Sequence, residues 1–529
     1  MTTDCLILGG GLAGLWAARE IVRAGYSAVI VRDGRGASPW VHGFNRPVRP
    51  GDSARVFCED TIISGLGLSD PVLAEALCGD ASVIFDEILE MGLHFNRNAE
   101  GDYQAIRPLG ASYPRVVSIG NETGTAVMDR IWEEIGGKVI ELPRARALEL
   151  IKTDDRVTGA VVWDRDEKRF ITVTARAVVL ASGGFCGIYP VTTSKRDSGG
   201  DGCAMALNAG ARLCDMEFIQ FEPSAAVWPR ELIGTSMITT LFFEGAVLRN
   251  RHGERFMTRY SPQAERVSKD VMARCIAAQI AGGNGTEHGG VYMDLTQVAR
   301  EKLFTDYPMY VDRYRSAGID ITSTWIELAP AAHTSLGGVM ADADSYSGVT
   351  GLYVCGEVLG GLHGANRIGG SAGLETMVFG RRAGRSAARY LKSAPDVHET
   401  HAPVIPDGTE RIAGRLAEMR DIMRHTLERD VGVVRTAAGL EEAVSRLTEL
   451  LEEVKLMRPA DSDEAFGRLR LKNDLITALA LTLSALKRKE SLGCHTRADH
   501  PEPPEKAYRV VVTLDELGYP QAERMDLDR

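Results

Sequence analysis

Apolar and polar positions change rhythm several times along the chain, and each change predicts an element. Asp4 to Leu8 is a short apolar run that breaks into Gly9-Gly10-Gly11-Leu12-Ala13-Gly14. A helical period follows through Ala24, then a second apolar run from Ala28 to Val31. Strand, glycine turn, helix, strand is the opening βαβ unit of a doubly wound fold. Val157 to Trp163 and Arg169 to Thr174 alternate around the polar turn Asp164 to Lys168, which predicts two paired strands. Ala177 to Ala181 is continuously apolar, as a buried parallel strand should be. Gly351 to Cys355 returns to that buried character, and Thr376 to Tyr390 is helical.

Between about 225 and 332 the period weakens and aromatic and charged residues mix, which reads as an inserted α+β module. Residues 393–408 carry Pro395, His398, His401, Pro403, Pro406 and Gly408 and form a polar linker. Beyond it, Ile412, Leu416, Met419 and Met423 share one helical face, as do Leu440, Val444, Leu447, Leu451 and Val454. Two or three packed helices are expected there, and no internal repeat is visible.

A length of 529 residues is too much for one core and implies two to four domains. Net charge is −11 with no long basic run, which argues against nucleic-acid binding. The nine cysteines (5, 58, 78, 186, 203, 214, 275, 355 and 494) include no C-x-x-C pair, so no zinc cage or iron–sulfur cluster is expected. They read as reduced core thiols of a cytoplasmic protein. The chain opens on a strand with no charged leader before it, and no apolar run reaches membrane-spanning length, so no direct membrane insertion is expected.

The glycine turn carries the first chemistry. In Gly9-x-Gly11-x-x-Gly14 the first glycine permits the tight turn, the second lets backbone approach a pyrophosphate, and the third lets helix and strand pack closely. The ribose-binding acid expected after the second strand is Asp33, one position late, unless a backbone contact replaces it.

Further signals follow in order. Ala181-Ser182-Gly183-Gly184 is similar to the A-T-G-G turn of flavoproteins. Ser198-Gly199-Gly200-Asp201-Gly202, then Met205-Ala206 and Ala209-Gly210-Ala211, is similar to S-x-G-D-G-x-x-M-A-x-x-A-G-A. Met216-Glu217-Phe218-x-Gln220-Phe221, Pro330-Ala331-Ala332-His333, Gly351 to Glu357, and Leu362-His363-Gly364-Ala365-Asn366-Arg367 complete the series. Together these resemble the flavoprotein subunits of succinate dehydrogenase and fumarate reductase, and L-aspartate oxidase, from residue 4 to about 500.

The resemblance implies an α/β protein with a Rossmann-like FAD-binding domain (1–224 and 333–392), an inserted α+β capping domain (225–332) and a C-terminal helical domain (409–529). It implies that Gly9, Gly11 and Gly14 hold the pyrophosphate, with Ser182, Gly183 and Asp201 in the flanking FAD motifs. Glu357 is implied near the ribityl chain, and Ser371 to Leu374 near the pyrimidine edge of the isoalloxazine. The covalent attachment histidine of membrane-bound members falls at Ala37, so FAD is expected to be non-covalent; His42, five residues on, is expected to line the flavin pocket.

The same resemblance implies a substrate site in which cations hold carboxylate and hydride passes to or from flavin N5. Its arginine in G-A-N-R is Arg367 and its histidine in A-A-H is His333. Other positions depart from the family. The histidine of Q-F-H-P-T is Glu222, and the proton-shuttling arginine is Lys269. R-G-E-G reads Phe242-Phe243-Glu244-Gly245, and the glutamate with which L-aspartate oxidase reads its amine falls near Pro108. These departures disfavour plain fumarate, succinate or L-aspartate. They suggest one carboxylate on Arg367 and His333, a donor group facing Glu222, a wall of Phe242 and Phe243, and Lys269 as general acid or base. Structural roles compete: Arg367 bracing a loop, His333 as a core histidine, Lys269 as a solvated helix residue, Glu222 pairing with Lys269 or Arg274.

Three functional readings follow. The leading one is an FAD-dependent dehydrogenase or reductase of a small carboxylate. The others are an electron-transfer subunit with a separate iron–sulfur partner, and an inactive flavin scaffold.

Overall fold

Among the residues described by the computed structural model (1–108, 110–397, 408–409 and 411–527), seven strands form the central sheet. Thr2–Leu8 pairs in parallel with Ala28–Arg32 on one side and with Arg169–Leu180 on the other, and Ile140–Pro143 adds a further parallel strand beyond Ala28–Arg32. The two patterns expected as separate strands after residue 168 belong to one strand that changes partner. Its first half pairs antiparallel with Arg156–Asp164, and its second half pairs in parallel with Leu352–Val354. Alternation marks the antiparallel half, and continuous apolarity marks the half buried on both faces. Ala145–Thr153 closes the antiparallel edge.

The helix Leu12–Arg23 packs against Ser371–Leu391. Gly380 and Gly384 permit this, because a Cβ at either would strike the carbonyl of Ala13 or Ala17. The close approach brings the start of both helices to the same end of the sheet, where the glycine turn lies.

A second core occupies the insertion. Leu248, Met257, Ile276, Met293 and Leu328 are fully buried there, each contributing about 1.5–3 kcal/mol by burial. Its antiparallel sheet runs in the order Ile219–Ala226, Ile326–Ser335, Val291–Asp294, Val247–Arg249. The boundaries expected at 224 and 332 fall inside the first two of these strands, so both continue out of the cap toward the central sheet. One carries Glu222 and the other His333, with Glu222 opposite Ala331 and Phe221 opposite Ala332.

The C-terminal region holds the helices Ala413–Asp430, Ala437–Leu456 and Ser462–Lys487, and Met419, Leu440, Leu447, Leu451 and Val454 are buried on the faces their spacing predicts. It is not only helical. A hairpin of Tyr508–Leu514 and Pro520–Asp526 joins Leu213–Cys214 and Gly338–Val339 in a four-stranded sheet, which ties the end of the chain to the cofactor-side strands. Most of the expected linker, residues 398–407 with His398, His401, Pro403 and Pro406, lies outside the described residues. No described helix is long and apolar enough to cross a membrane.

Candidate active site

A cavity of about 850 Å³ runs from the glycine turn to the seam between the central sheet and the cap. At its first end Gly9 has φ +131°, a backbone that an L side chain rarely adopts. Gly14 does not line the cavity; it packs so closely that a Cβ there would strike the Gly9 carbonyl. A Cβ on Gly11 would lie 2.8 Å from Ser38 Oγ, which accepts from the Leu12 amide at 2.9 Å. Asp33 lines this end and accepts from Arg165 Nη2 at 2.6 Å. Ser182 and Gly183 face it across the turn, and Ser182 Oγ is buried without a partner. Asp201 opens the helix Asp201–Ala209, accepts from Asn473 Nδ2 at 3.1 Å, and has its carboxyl pushed up by burial against the pull of Arg146.

Further along, Glu357 accepts from the Ser335 amide at 3.1 Å, and burial pushes its carboxyl up to about 7. Ser371 and Leu374 are turned away from the cavity. Ser371 Oγ accepts from Asn45 Nδ2 at 3.0 Å and Leu374 is in the core, while Gly370, Ala372 and Gly373 of the same segment line the space. Ala37 and His42 both line it.

The other end gathers Arg367, His333, Glu222 and Lys269. Arg367 donates from Nη2 to Gln220 Oε1 at 2.8 Å and from Nη1 to the Ile368 carbonyl at 3.4 Å. Its Nε is buried without a partner, and among the described residues no carboxylate lies within 4.0 Å of the guanidinium. A desolvated guanidinium without a counter-ion is costly, and an anion in the cavity would offset that cost. Burial lowers its pKa, opposed by Glu357 and Glu375. His333 Nδ1 lies 2.8 Å from Thr193 Oγ1. Burial, reinforced by Lys269 and Arg367, pushes its pKa down to about 3, so the ring is neutral at physiological pH and acts as a hydrogen-bonding group, not a cation.

Glu222 is 2 % exposed, and both of its oxygens are engaged: Lys269 Nζ donates to Oε2 at 2.5 Å and Ser224 Oγ to Oε1 at 2.8 Å. Burial would raise its pKa, but Lys269 and these hydrogen bonds leave it lowered and the carboxylate ionised. Lys269 is the first residue of the helix Lys269–Gln279, where the helix dipole opposes a cation; the Glu222 carboxylate offsets that. Arg274 pairs with Asp270 at 3.2 Å instead.

The aromatic wall expected from Phe242 and Phe243 is absent from the lining. Phe242 is packed in the cap core, and Phe243 is 46 % exposed with Arg266 over its ring. The 3₁₀ turn Thr239–Phe243 rotates both side chains off the cavity and leaves Thr239 on it. In their place the helix Pro308–Ser316 supplies Met309, Tyr310 and Arg313, which no motif singles out. The spacing of Met309 and Arg313, four apart on a helix with Val311 and Tyr314 buried, is a signal visible only once the helix is assigned.

Residues 4–372 match the family model described as an FAD binding domain, and residues 420–526 match the model described as fumarate reductase flavoprotein C-term. The chain belongs to the FAD-dependent fumarate reductase and L-aspartate oxidase family. This flavoprotein is 38% identical over 525 residues to one of the subunits of the CoM/CoB fumarate reductase of Methanothermobacter marburgensis, covering 94% of each chain. It is 33% identical over 523 residues to the L-aspartate oxidase of Caulobacter vibrioides, covering 96% of each. Among solved structures, Mycobacterium smegmatis Sdh1 superposes with TM-score 0.88 at 28% identity, covering 100% of this chain and 95% of that one. An Escherichia coli quinol fumarate reductase gives 0.90 at 25%, covering 100% and 97%.

The flavoprotein uses FAD, and the cavity fits it. The cradle of Gly9 and Gly11, the orphaned Ser182 hydroxyl and the acid at Asp33 suit a pyrophosphate and ribose, and Glu357 with Gly370 to Gly373 borders the way to Arg367.

Proposed function

We propose that this flavoprotein exchanges a hydride equivalent with the carbon skeleton of a small carboxylate, and that its preferred substrate is not plain fumarate, succinate or L-aspartate. The observation that carries the reading is Arg367, a guanidinium without a carboxylate partner among the described residues, facing the cavity beside a neutral His333.

Bound FAD would supply the two-electron, hydride-transfer chemistry of the site. Gly9, Gly11, Ser182, Gly183, Asp33, Asp201 and Glu357 are the residues that would hold it. Arg367 binds the substrate carboxylate through two parallel hydrogen bonds and so fixes the reacting carbon. Neutral His333, its Nδ1 oriented by Thr193, hydrogen-bonds the same end through Nε2. Lys269 exchanges the proton at the adjacent carbon, and Glu222 holds the ammonium in place. Glu222 also occupies the position where the resembled family carries a histidine, and its pairing with Lys269 leaves no net positive charge there, which disfavours a C4 dicarboxylate oriented as in those relatives. Anaerobic mixing of the holoprotein with a panel of carboxylates, read by the flavin spectrum, tests this: a fumarate turnover of roughly 1–10³ per second would remove the claim of a different substrate.

A second reading has specific support. The relative from M. marburgensis bears the name of a fumarate reductase subunit, which favours a multi-subunit enzyme with electrons delivered by a partner, of the iron–sulfur type. Co-purification of a cysteine-rich protein from the native source supports it; full turnover by the isolated chain with its physiological donor removes it.

A further inference from the structure

On its cap side the cavity holds a further cation with no carboxylate partner. Arg313 donates from Nη1 to the Ser236 carbonyl at 3.2 Å, and among the described residues no carboxylate lies within 4.0 Å of it. The contrast with its own helix is direct, since Arg315 is paired with Asp312 at 3.0 Å. Arg313 faces the same space as Glu222, Lys269, His333 and Arg367. Its helix is fixed by Val311 and Tyr314, which are 3% and 2% exposed in the cap core, so the guanidinium projects from a supported element.

The local charge balance gives Arg313 its meaning. Glu222 and Lys269 form an ion pair and cancel, and His333 is neutral. The uncompensated charge at the cap side of the cavity is therefore that of Arg313. Tyr310 lies beside it: Arg313 is 5.5 Å from the centre of its ring, and its phenol is pushed up to about 12 by burial, with Arg313 opposing and Glu222 adding. A phenol kept protonated is a hydrogen-bond donor beside a guanidinium, which together form a recognition pair for a small oxyanion.

We propose that Arg313, assisted by Tyr310, is the specificity-determining residue for the end of the substrate remote from Arg367, and that it selects a second anionic group there. This rests on the proposed role of Arg367 and revises the expectation of a donor group at that end. Lys269 and Glu222 then act as a neutral proton-handling pair between two anion anchors, and Arg313 makes substrate binding depend on the cap.

The test uses the FAD-loaded protein under anaerobic conditions, titrated by flavin spectral perturbation. The probes are butyrate, succinate, glutarate, adipate and 3-sulfopropionate. In the parent, at least one dianion should bind tenfold or more tightly than butyrate, and the sulfonate against the dicarboxylates shows which oxyanion fits. Arg313→Met should weaken the best dianion at least tenfold and change butyrate less than twofold, while Arg313→Lys restores part of the loss. If Arg313→Met loses FAD, Arg313→Gln is read in its place. Parent dianions no tighter than butyrate, an unchanged dianion affinity in Arg313→Met, or equal losses for both ligand classes would overturn the assignment. Arg367→Met separates the two claims, since it should weaken butyrate and the dianions alike. Butyrate binding unaffected by Arg367→Met would sink the role of Arg367, whatever Arg313 does.

Discussion

Replacing Lys269 by methionine leaves the Glu222 carboxylate, 2 % exposed, with Ser224 as its one remaining side-chain hydrogen-bond donor. Two unit charges 2.5 Å apart attract by about 7 kcal/mol at an effective dielectric of about 20. Desolvation absorbs part of that, and removing one partner of a buried pair costs about 3–5 kcal/mol. The reverse change should be milder. Glu222→Gln leaves an amide oxygen that still accepts from Lys269, and the lysine side chain is 29% exposed, so about 1–2 kcal/mol is expected. The double variant should lie near Glu222→Gln alone, because no buried charge is left unpaired. The pH dependence has a fixed sign. Glu222 has a lowered pKa in the folded protein, so its stabilising contribution is present above the unfolded carboxyl value and is lost as pH falls through the folded one. The penalty of Lys269→Met should therefore be largest near pH 7–8 and shrink on acidification, as the stranded carboxylate takes up a proton. Denaturant unfolding followed by circular dichroism and by the cap tryptophans Trp228 and Trp325 measures all three variants. A Glu222→Gln loss as large as that of Lys269→Met, or a penalty that does not change with pH, would show that no stranded carboxylate charge is at work.

Three other outcomes follow from the site. Acid precipitation should release intact FAD into the supernatant, because Ala37 offers no histidyl linkage; yellow colour left in the pellet contradicts this. Arg367→Ala should keep FAD but lose about 2–5 kcal/mol of transition-state stabilisation, measured as kcat/KM, and a parent-like value would remove the anchor. His333 is neutral down to about pH 3, so His333→Gln should leave the pH dependence of carboxylate affinity between pH 6 and 8 unchanged, a step near 7 belonging to Glu357; a step that disappears in His333→Gln would show a cationic histidine in the site.

The cofactor half of the molecule is legible because its chemistry is written in short local motifs. Gly9-x-Gly11-x-x-Gly14 requires the turn that the structure has, and the order of apolar runs requires the parallel sheet around it. The strand Arg169–Leu180 reads as two in the sequence because its partner changes midway, and a partner change looks like a break in periodicity. The hairpin 508–526 escapes a helical reading of the C-terminal region although Val510 and Val512 are fully buried; its register is set by Leu213–Cys214, nearly 300 residues earlier. At the substrate end, positions in motif context can be found from sequence and those supplied by tertiary packing cannot. Arg313 and Tyr310 reach the cavity through the placement of a short helix that has no motif. The expected wall of Phe242 and Phe243 fails because sequence adjacency to Glu244-Gly245 does not say which way a 3₁₀ turn points its side chains.

The most direct measurement of the proposed activity is anaerobic redox exchange between the bound flavin and a carboxylate. Holoprotein is prepared oxidised and, separately, dithionite-reduced, and each is mixed with saturated and unsaturated mono- and dicarboxylates while the flavin spectrum is followed. At least one carboxylate should change the flavin redox state within seconds, Arg367→Ala should abolish the change with FAD still bound, and fumarate and succinate should not be the best members of the panel. A flavin that binds normally yet exchanges electrons with no carboxylate, or does so equally well without Arg367, would contradict the proposed activity.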